Sequence, residues 1–203
     1  MKRVLFFGLF LAVLPLSGWS STPDQIRLQA GFWTFVQYCQ GCHSTRYQRY
    51  GQVAGDLDIA PEQLPARPGD RMLSSLDGQD ARAWFGLQPP DLTLIARVRG
   101  TDWLQDFLQG FYADPARPFG VNNRLLPGLA MPHVLAPLQA QLSAADYAAR
   151  VRDLVDFLAY SAAPFRQESR QLGAGVLLFL GIFTVFAWLL KREYWKDPPA
   201  GPH

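Results

Sequence analysis

Cysteine and histidine are scarce in this chain of 203 residues, which contains two cysteines and three histidines. Both cysteines and one histidine fall in the single stretch Cys-Gln-Gly-Cys-His at 39–43, whereas His133 and His203 stand apart from it. A structural zinc site usually needs four ligands in two pairs, so the ligand count argues against zinc. A disulfide between Cys39 and Cys42 would close too small a loop to stabilise the chain much.

A strong net charge is also missing, since the formal charge is +2 at pH 7. The three lysines lie near the ends of the chain, at Lys2, Lys191 and Lys196, and every basic residue from 21 to 171 is arginine. Arginines and acidic residues are nearly balanced over that central part. The composition therefore predicts a nearly neutral globular body, and it gives no indication of nucleic-acid binding.

Alternating patterns of strand length are absent, and no internal repeat is visible, so no strands are expected. Gly, Pro and acidic residues dominate 52–80, and Pro, Gly and Asn dominate 113–133, which predicts two long loops. The acidic loop at 52–80 is either an ordinary solvated surface or a docking face for a basic partner. The fold class is mainly α, with helices predicted at 24–38, 91–99, 102–110 and from Ser143, which caps the last of these, to a stop at Pro164.

A short apolar run begins the chain. Lys2 and Arg3 precede 13 uncharged residues from Val4 to Leu16, and small polar residues follow. This order is typical of a signal peptide, predicted here at 1–20 with cleavage after Ser20. An uncleaved N-terminal anchor remains the alternative, because no clean small-x-small cleavage signal is present.

A second apolar run near the end of the chain covers 172–190 without a charge. As a helix it would reach roughly 28 Å, close to the thickness of the hydrocarbon core of a membrane. The basic and aromatic sequence Lys-Arg-Glu-Tyr-Trp-Lys follows at once, which places the tail at 191–203 in the cytoplasm. With a signal peptide in front, the body at 21–171 is expected in the bacterial periplasm, anchored in the inner membrane.

Three chemistries compete for the Cys-x-x-Cys-His stretch: a redox dithiol, half of a zinc site, or a covalent haem anchor. A thioredoxin-like dithiol calls for a βαβ pattern that this segment lacks. On a helix, Cys39, Cys42 and His43 share one face, so two thioethers could hold a porphyrin edge while the imidazole reaches its iron. Together with export from the cytoplasm, this spacing favours c-type haem attachment.

A haem iron would leave its sixth ligand to be supplied from elsewhere in the chain. The candidates are Met72, Met131 and His133. Local sequence favours Met131, because Pro132 stiffens the chain beside it, although a core-filling role for this methionine is the alternative. His133 is expected as a polar neighbour near the haem edge. A Met ligand would raise the reduction potential, whereas an open position would give a haem enzyme or a gas binder.

Several longer stretches carry a family resemblance. Leu28 to Tyr50 (LQAGFWTFVQYCQGCHSTRYQRY), Trp84 to Tyr112 (WFGLQPPDLTLIARVRGTDWLQDFLQGFY) and Arg117 to Leu135 (RPFGVNNRLLPGLAMPHVL) occur in this order, followed by the single apolar segment. In this combination the sequence resembles the cytochrome c1 family, the haem-bearing subunit of the quinol–cytochrome c oxidoreductase (bc1) complex, in its short proteobacterial form. The resemblance implies a c-type cytochrome domain on one C-terminal transmembrane helix.

The resemblance also implies roles for individual residues. Cys39 and Cys42 would carry the thioethers of a haem c, and His43 and Met131 would be the axial ligands of its iron. Pro89 and Pro90 would line the pocket, Arg99 would pair with a haem propionate, and Trp103 falls where the family usually has a tyrosine.

The function implied is one-electron transfer from the Rieske iron–sulfur protein to the haem and on to a cytochrome c. The complex would be dimeric and include cytochrome b. The chain would be an electron carrier and would count as an enzyme only as part of the reductase. The alternatives are a membrane-tethered cytochrome c that feeds a terminal oxidase, and a haem enzyme or sensor with an open iron position.

Overall fold

A computed structural model describes residues 22–164 and 166–196. The signal peptide predicted at 1–20 lies outside these residues, as do positions 197–203 of the predicted tail. The predicted mainly α fold is confirmed. The elements in chain order are α1 (Thr22–Tyr38), β1 (Thr45–Arg49), α2 (Tyr50–Leu57), a 3-10 turn (Pro61–Gln63), β2 (Arg71–Met72), α3 (Gly78–Phe85), α4 (Ile95–Arg99), α5 (Thr101–Gln109), β3 (Phe111–Ala113), β4 (Val121–Asn123), α6 (Ala136–Gln141), α7 (Ala144–Ser161) and α8 (Arg166–Tyr194).

Helices α1 and α7 cross at the centre of the body, and a glycine sets how closely they approach. A Cβ atom on Gly31 would lie 2.0 Å from the carbonyl oxygen of Asp153 and 2.8 Å from the Cβ of Phe157. Next to this contact, the rings of Phe32 and Phe35 each lie 5.6 Å from the ring of Phe157. These three aromatic side chains are fully buried, so they anchor the core on which the rest of the domain packs.

Helices α4 and α5 also pack against α7 and extend this core toward the candidate site. The predicted start of α7 is confirmed, since the Ser143 hydroxyl oxygen accepts a hydrogen bond from the backbone N–H of Asp146 at 3.2 Å. On α5 the side chains of Leu104, Phe107 and Leu108 are buried, at the spacing of one helical face.

The expectation that the chain has no strands is wrong, because two small antiparallel pairs form. Strand β1 pairs with β2, and β3 pairs with β4 in the register Phe111↔Asn123, Tyr112↔Asn122 and Ala113↔Val121. The four strands have two to five residues. Strands of two or three residues are too short to display an alternating pattern, and the five residues of β1 are buried only at Thr45 and Gln48, so they do not alternate. The pairing is a consequence of tertiary contact.

The stretch 52–80 is not the single long loop that its composition predicts. Helix α2 enters it, with Val53 and Leu57 buried against the core, and α3 begins at its end. The amide of Gln29 on α1 donates to the Leu57 carbonyl at 2.7 Å, which ties α2 to α1. Asp58 then ends α2 with a φ of 55°, a conformation that aspartate tolerates better than most residues.

The helix predicted at 91–99 begins only at Ile95. The Asp91 carboxylate accepts a hydrogen bond from the backbone N–H of Thr93 at 3.0 Å. This local turn competes with helix formation, so the segment before α4 stays outside the helix.

Helix α8 is one continuous helix with a candidate membrane span at Leu172–Tyr194, and an apolar window of 18 residues in this span has a mean hydropathy of 2.3. No part of that window is buried against the rest of the chain. It is the one helix in the described residues that is long and apolar enough to cross a membrane, which agrees with the predicted C-terminal membrane helix. The boundaries predicted at 172 and 190 remain a prediction.

Candidate functional site

A cavity of about 240 Å³ lies between the C-terminal end of α1, helices α4, α5 and α7, and the segment before α6. Its walls are predominantly apolar, as is usual for a site that binds an organic cofactor. The lining residues are Tyr38, Cys39, Cys42, His43, Phe85, Leu87, Pro89, Pro90, Leu92, Ile95, Arg99, Trp103, Leu104, Phe107, Leu108, Leu126, Leu129, Ala130, Met131, Pro132, Val134, Leu154 and Leu158.

The structure brings together in this one cavity all eight residues to which the family resemblance assigns a role in haem binding. They come from three distant parts of the chain, and their individual roles remain predictions. These residues are Cys39, Cys42, His43, Pro89, Pro90, Arg99, Trp103 and Met131.

The end of α1 directs both thiols and the imidazole toward the cavity. The backbone N–H groups of Cys42 and His43 both donate to the Cys39 carbonyl, at 3.0 and 2.8 Å, so the chain turns tightly beyond the helix. Burial, and secondly the neighbouring Cys42, raise the pKa of Cys39 to about 12. The attacking thiol of a redox dithiol has a lowered pKa, so the environment of Cys39 does not suit that role.

The imidazole of His43 is held by a carbonyl group. Its Nδ1 lies 2.8 Å from the Pro90 oxygen, and in the neutral ring Nδ1 donates its proton there. This contact leaves the lone pair of Nε2 available as a metal ligand. Burial lowers the pKa of His43 and outweighs the raising effects of the Pro90 hydrogen bond and the Asp91 charge. The ring is therefore kept neutral, as ligation requires.

The segment that supplies the Pro90 carbonyl is itself fixed by Asp91. The Asp91 carboxylate accepts from the Arg46 backbone N–H at 2.9 Å and from the Arg46 guanidinium at 3.2 Å. Burial would raise the pKa of Asp91, but the hydrogen bonds from Thr93 and Arg46 outweigh it and lower the pKa. Sequence analysis missed this role, although an Asp two residues before a Thr is a recognisable turn signal.

The three candidates for a sixth iron ligand lie in different environments. Met131 lines the cavity, whereas Met72 is fully buried in β2 and packs into the core away from it. The ring of His133 stacks on Phe111 at 4.7 Å, and its Nε2 lies 3.5 Å from the Tyr147 hydroxyl. Neither Met72 nor His133 lines the cavity, so position favours Met131.

Arg99 and Trp103 form one edge of the cavity. The Arg99 guanidinium carbon lies 5.0 Å from the centre of the Trp103 ring, within the range of a cation–π contact. Trp103 in turn stacks on Phe107 at 5.0 Å with nearly parallel rings. The exposed cation is thus held at the boundary between the apolar wall and water, where it could meet an anionic group of a ligand.

The apolar walls contributed by α5 and α7 were only partly anticipated. Leu104 and Leu108 of α5 and Leu154 and Leu158 of α7 face the cavity. Their spacing of four residues marks the apolar face of each helix, but it does not distinguish a core from a cofactor pocket. Only the packing of the two helices against the end of α1 makes that distinction.

The donors around the cavity fit a covalently attached haem better than a bare metal ion. Within 22–164 and 166–196, no group of three or more His, Cys, Asp or Glu side chains is arranged to hold a metal ion. The cavity instead offers two thiols, one imidazole with a free Nε2, one thioether and apolar walls. This set matches the attachment and axial ligation of a c-type haem.

Comparisons with known proteins are consistent with a chain that carries haem c. A model of the "Cytochrome C1 family" matches residues 56–198. The chain is 41% identical to cytochrome c1 of Allochromatium vinosum over 86% of this chain and 85% of that protein. It is 35% identical to the ammonia monooxygenase gamma subunit of Nitrosomonas europaea, over 86% and 84% of the two chains. It is also 26% identical to cytochrome b/c1 of Bradyrhizobium diazoefficiens, over 86% of this chain and 34% of that longer protein.

Proposed function

The chain belongs to the cytochrome c1 family, and from this premise we propose that it accepts one electron from a Rieske iron–sulfur protein and passes it to a cytochrome c. Family membership makes it the haem c electron-transfer subunit of a bc1 complex. The chain itself is an electron carrier, and the oxidoreductase activity belongs to the complex. Bound haem c supplies a one-electron iron couple at the cavity.

One observation carries the proposal: the imidazole of His43, oriented by the Pro90 carbonyl at 2.8 Å, faces the same apolar cavity as Met131, Cys39 and Cys42. In the proposed assignment the two thiols form the thioethers, and His43 and Met131 provide the axial nitrogen and sulfur. The roles of Pro89 and Pro90 are to form a wall beside the imidazole and to hold its orientation.

In this proposal the apolar cavity and the axial ligands set the reduction potential of the haem. Apolar side chains from α5 and α7 exclude water from the cavity, which disfavours the more highly charged ferric form. A thioether ligand favours ferrous iron in the same direction. At the exposed edge, the Arg99 guanidinium over Trp103 supports the proposed pairing with a propionate.

The membrane arrangement of the proposal follows from α8. Lys191 and Arg192 lie in the last turn of the helix, directly after its uncharged stretch, so the positive-inside rule predicts a cytoplasmic C-terminus and a haem-binding body in the periplasm. The location of the C-terminus can be checked with a cysteine added there, in protein whose two native cysteines are both occupied by haem. This added cysteine should react with a membrane-impermeant thiol reagent only after the cells are opened.

The partners of the proposal are cytochrome b, a Rieske protein and an acceptor cytochrome c, in a dimeric complex. The name of the Bradyrhizobium relative, cytochrome b/c1, supports the association with cytochrome b. The Rieske protein, the acceptor and the dimer follow from the family assignment alone.

Axial ligation is tested by Met131→Leu, with Met72→Leu as the control because Met72 is a buried methionine away from the cavity. We expect Met131→Leu to abolish the absorption band of thioether-ligated ferric haem and to lower the midpoint potential by roughly 0.1 V, within the ~0.8 V over which axial ligands act. Met72→Leu should leave the band unchanged. An unaltered band in Met131→Leu would contradict ligation by Met131 and would indicate another iron ligand.

The complex is identified by purifying the tagged full chain from detergent-solubilised membranes. We expect cytochrome b and a Rieske protein to co-purify, with quinol-dependent reduction of the haem. Co-purification with copper–haem oxidase subunits instead would support a tethered cytochrome c. Co-purification with a monooxygenase, as the name of the Nitrosomonas relative suggests for that protein, would likewise overturn the assignment.

A further inference from the structure

The wall of the cavity that contains Met131 has no regular secondary structure. Between the end of β4 at Asn123 and the start of α6 at Ala136, no residue belongs to a helix or strand. A methionine on such a segment has no helix to fix its position. Side-chain contacts must therefore hold the backbone close to Met131 in place.

Arg117 makes such a contact at two successive carbonyl groups. Its Nη2 donates to the Gly128 oxygen at 2.6 Å and to the Leu129 oxygen at 3.3 Å. These carbonyls lie three and two residues before Met131. Arg117 is itself held in a tight turn, because its backbone N–H donates to the Asp114 carbonyl at 3.0 Å and its carbonyl accepts from the Gly120 N–H at 3.0 Å.

A second side chain, that of Asn122, also holds this segment. The Asn122 amide oxygen accepts from the Gly128 N–H at 2.9 Å, so both backbone groups of Gly128 are fixed. Gly128 has a φ of 82°, which glycine adopts without strain. Beyond Met131, His133 stacks on Phe111. Met131 therefore lies between two anchored points of the chain.

Arg117 also places a positive charge close to the segment that carries Met131. Its side chain is half-buried, and Nε is buried without a hydrogen-bond partner among the described residues. No carboxylate in 22–164 or 166–196 forms an ion pair with Arg117. A partly buried cation is screened less than an exposed one, so its field reaches the adjoining cavity.

We propose that Arg117 is the positioning residue for Met131 and that its charge raises the reduction potential of the site. The inference rests on the proposed ligation by Met131. The planar guanidinium holds the two carbonyls at a fixed spacing, which a flexible ammonium group does less well. Its charge disfavours the additional positive charge of ferric iron.

Three substitutions of Arg117 separate position from charge. In the full chain loaded with haem, Arg117→Gln removes the charge but keeps a donor, Arg117→Lys keeps the charge but loses the planar group, and Arg117→Met removes both. Two readouts are needed: the midpoint potential from a redox titration, and the absorption band of thioether-ligated ferric haem. Thermal unfolding of each variant verifies that it is folded.

We expect opposite patterns for the first two variants. Arg117→Gln should keep most of the band but lower the ferrous-to-ferric ratio at a fixed applied potential about tenfold, or ~59 mV for one electron. Arg117→Lys should weaken the band with a smaller change in potential, and Arg117→Met should show both effects. The control is Arg124→Gln. Arg124 is an exposed arginine in the irregular segment between β4 and α6, and its substitution should change neither readout.

The possible failures are distinguishable. If the Arg117 variants match the wild type in both readouts while Met131→Leu abolishes the band, the role of Arg117 is wrong and the ligation stands. If Met131→Leu also leaves the band intact, the proposed ligation itself is wrong. Should Arg117→Met fail to fold, the Gln and Lys variants still decide the question.

Discussion

Two of the cavity walls are held in place by different kinds of contact. We call the wall that contains Cys39, Cys42 and His43 the helical wall, and the wall that contains Met131 the irregular wall. The helical wall continues from α1, whose aromatic side chains are buried against α7. The irregular wall is fixed by polar anchors at Arg117, Asn122 and Asn123. Apolar packing spreads the stabilising free energy over many atoms, whereas a polar anchor concentrates it in one or two hydrogen bonds.

The two kinds of contact predict different sensitivities to single substitutions. The helical wall should withstand the loss of its surface ion pairs but not a change in the spacing of its helices. The irregular wall should respond strongly to the loss of one buried polar side chain. The predictions below test this contrast, in order of decreasing effect.

The largest effect is expected for Gly31→Ala, which attacks the helical wall at its crossing point. A Cβ 2.0 Å from the Asp153 carbonyl oxygen cannot be accommodated unless α1 and α7 move apart. We expect a loss of about 3 kcal/mol in the free energy of unfolding, measured by urea denaturation of the full chain in detergent. Gly55→Ala is the matched control, because nothing lies within 4 Å of a Cβ there, and it should be neutral or slightly stabilising.

The next effect is expected for Asn123→Ala, which removes a buried anchor of the irregular wall. The Asn123 side chain is 0% exposed. Its amide donates to the Phe107 carbonyl at 2.8 Å and accepts from the Leu125 N–H at 2.9 Å. Because the substitution removes both hydrogen bonds and leaves a gap where the fully buried side chain was, we expect a loss of about 2 kcal/mol in the same assay. A cost no greater than that of the exposed control Gln139→Ala would contradict the contrast between the walls.

A pH-dependent effect is expected for Asp91→Asn, which weakens the segment that orients His43. The pKa of Asp91 is lowered from 3.8 in the folded chain, so its stabilising contribution is complete above pH 3.8 and is lost as the pH falls through the lower folded value. We expect the variant to lose about 1 kcal/mol near pH 7, and this difference from the wild type to shrink in acid.

Urea unfolding at a series of pH values measures this dependence. Asp58→Asn is the control, because Asp58 is exposed and asparagine tolerates its positive φ. A difference between wild type and Asp91→Asn that stays constant down to acid pH would show that the ionised carboxylate is not what stabilises this segment.

The smallest effect is expected for Arg27→Gln, at the polar edge of the helical wall. Arg27 pairs with Asp153 at 3.3 Å and also with Asp156, but its side chain is 48% exposed. Exposed ion pairs stabilise little and are screened by salt, so we expect a loss of about 0.5 kcal/mol that disappears at high ionic strength. A loss as large as that of Gly31→Ala would mean that ion pairs, not packing, hold α1 against α7.

Much of the helical framework could be predicted, and most errors concern short elements. The apolar stripe of α7 and its Ser143 cap are local features, so they can be read from adjacent residues. Helix α2 was missed because its eight residues lie in a stretch rich in Gly and acidic residues, and burial against α1 stabilises it. The pairing of β3 with β4 likewise depends on contacts that no local pattern reveals.

The candidate site divides in the same way. Local spacing identifies Cys39, Cys42 and His43, because their arrangement on one turn is itself the chemical signal. The neighbouring Pro132 favoured Met131 over Met72, but no spacing pattern fixed the position of either methionine, since neither lies in a segment with a helical pattern. Their different positions, one in the core and one on the cavity, come from tertiary packing.

The mainly α class and the apolar C-terminal segment could be read from the sequence alone, and the attachment chemistry could be predicted from it, since each depends on residues that are neighbours along the chain. Tertiary structure decided which carbonyl orients His43, which methionine faces the cavity and which side chains hold the irregular wall. The His43–Pro90 and Arg117–Gly128 contacts join residues that lie 47 and 11 positions apart. The free energy that brings such residues together comes from burial of the whole core, including the contact of α1 with α7. No single stretch of the sequence encodes it.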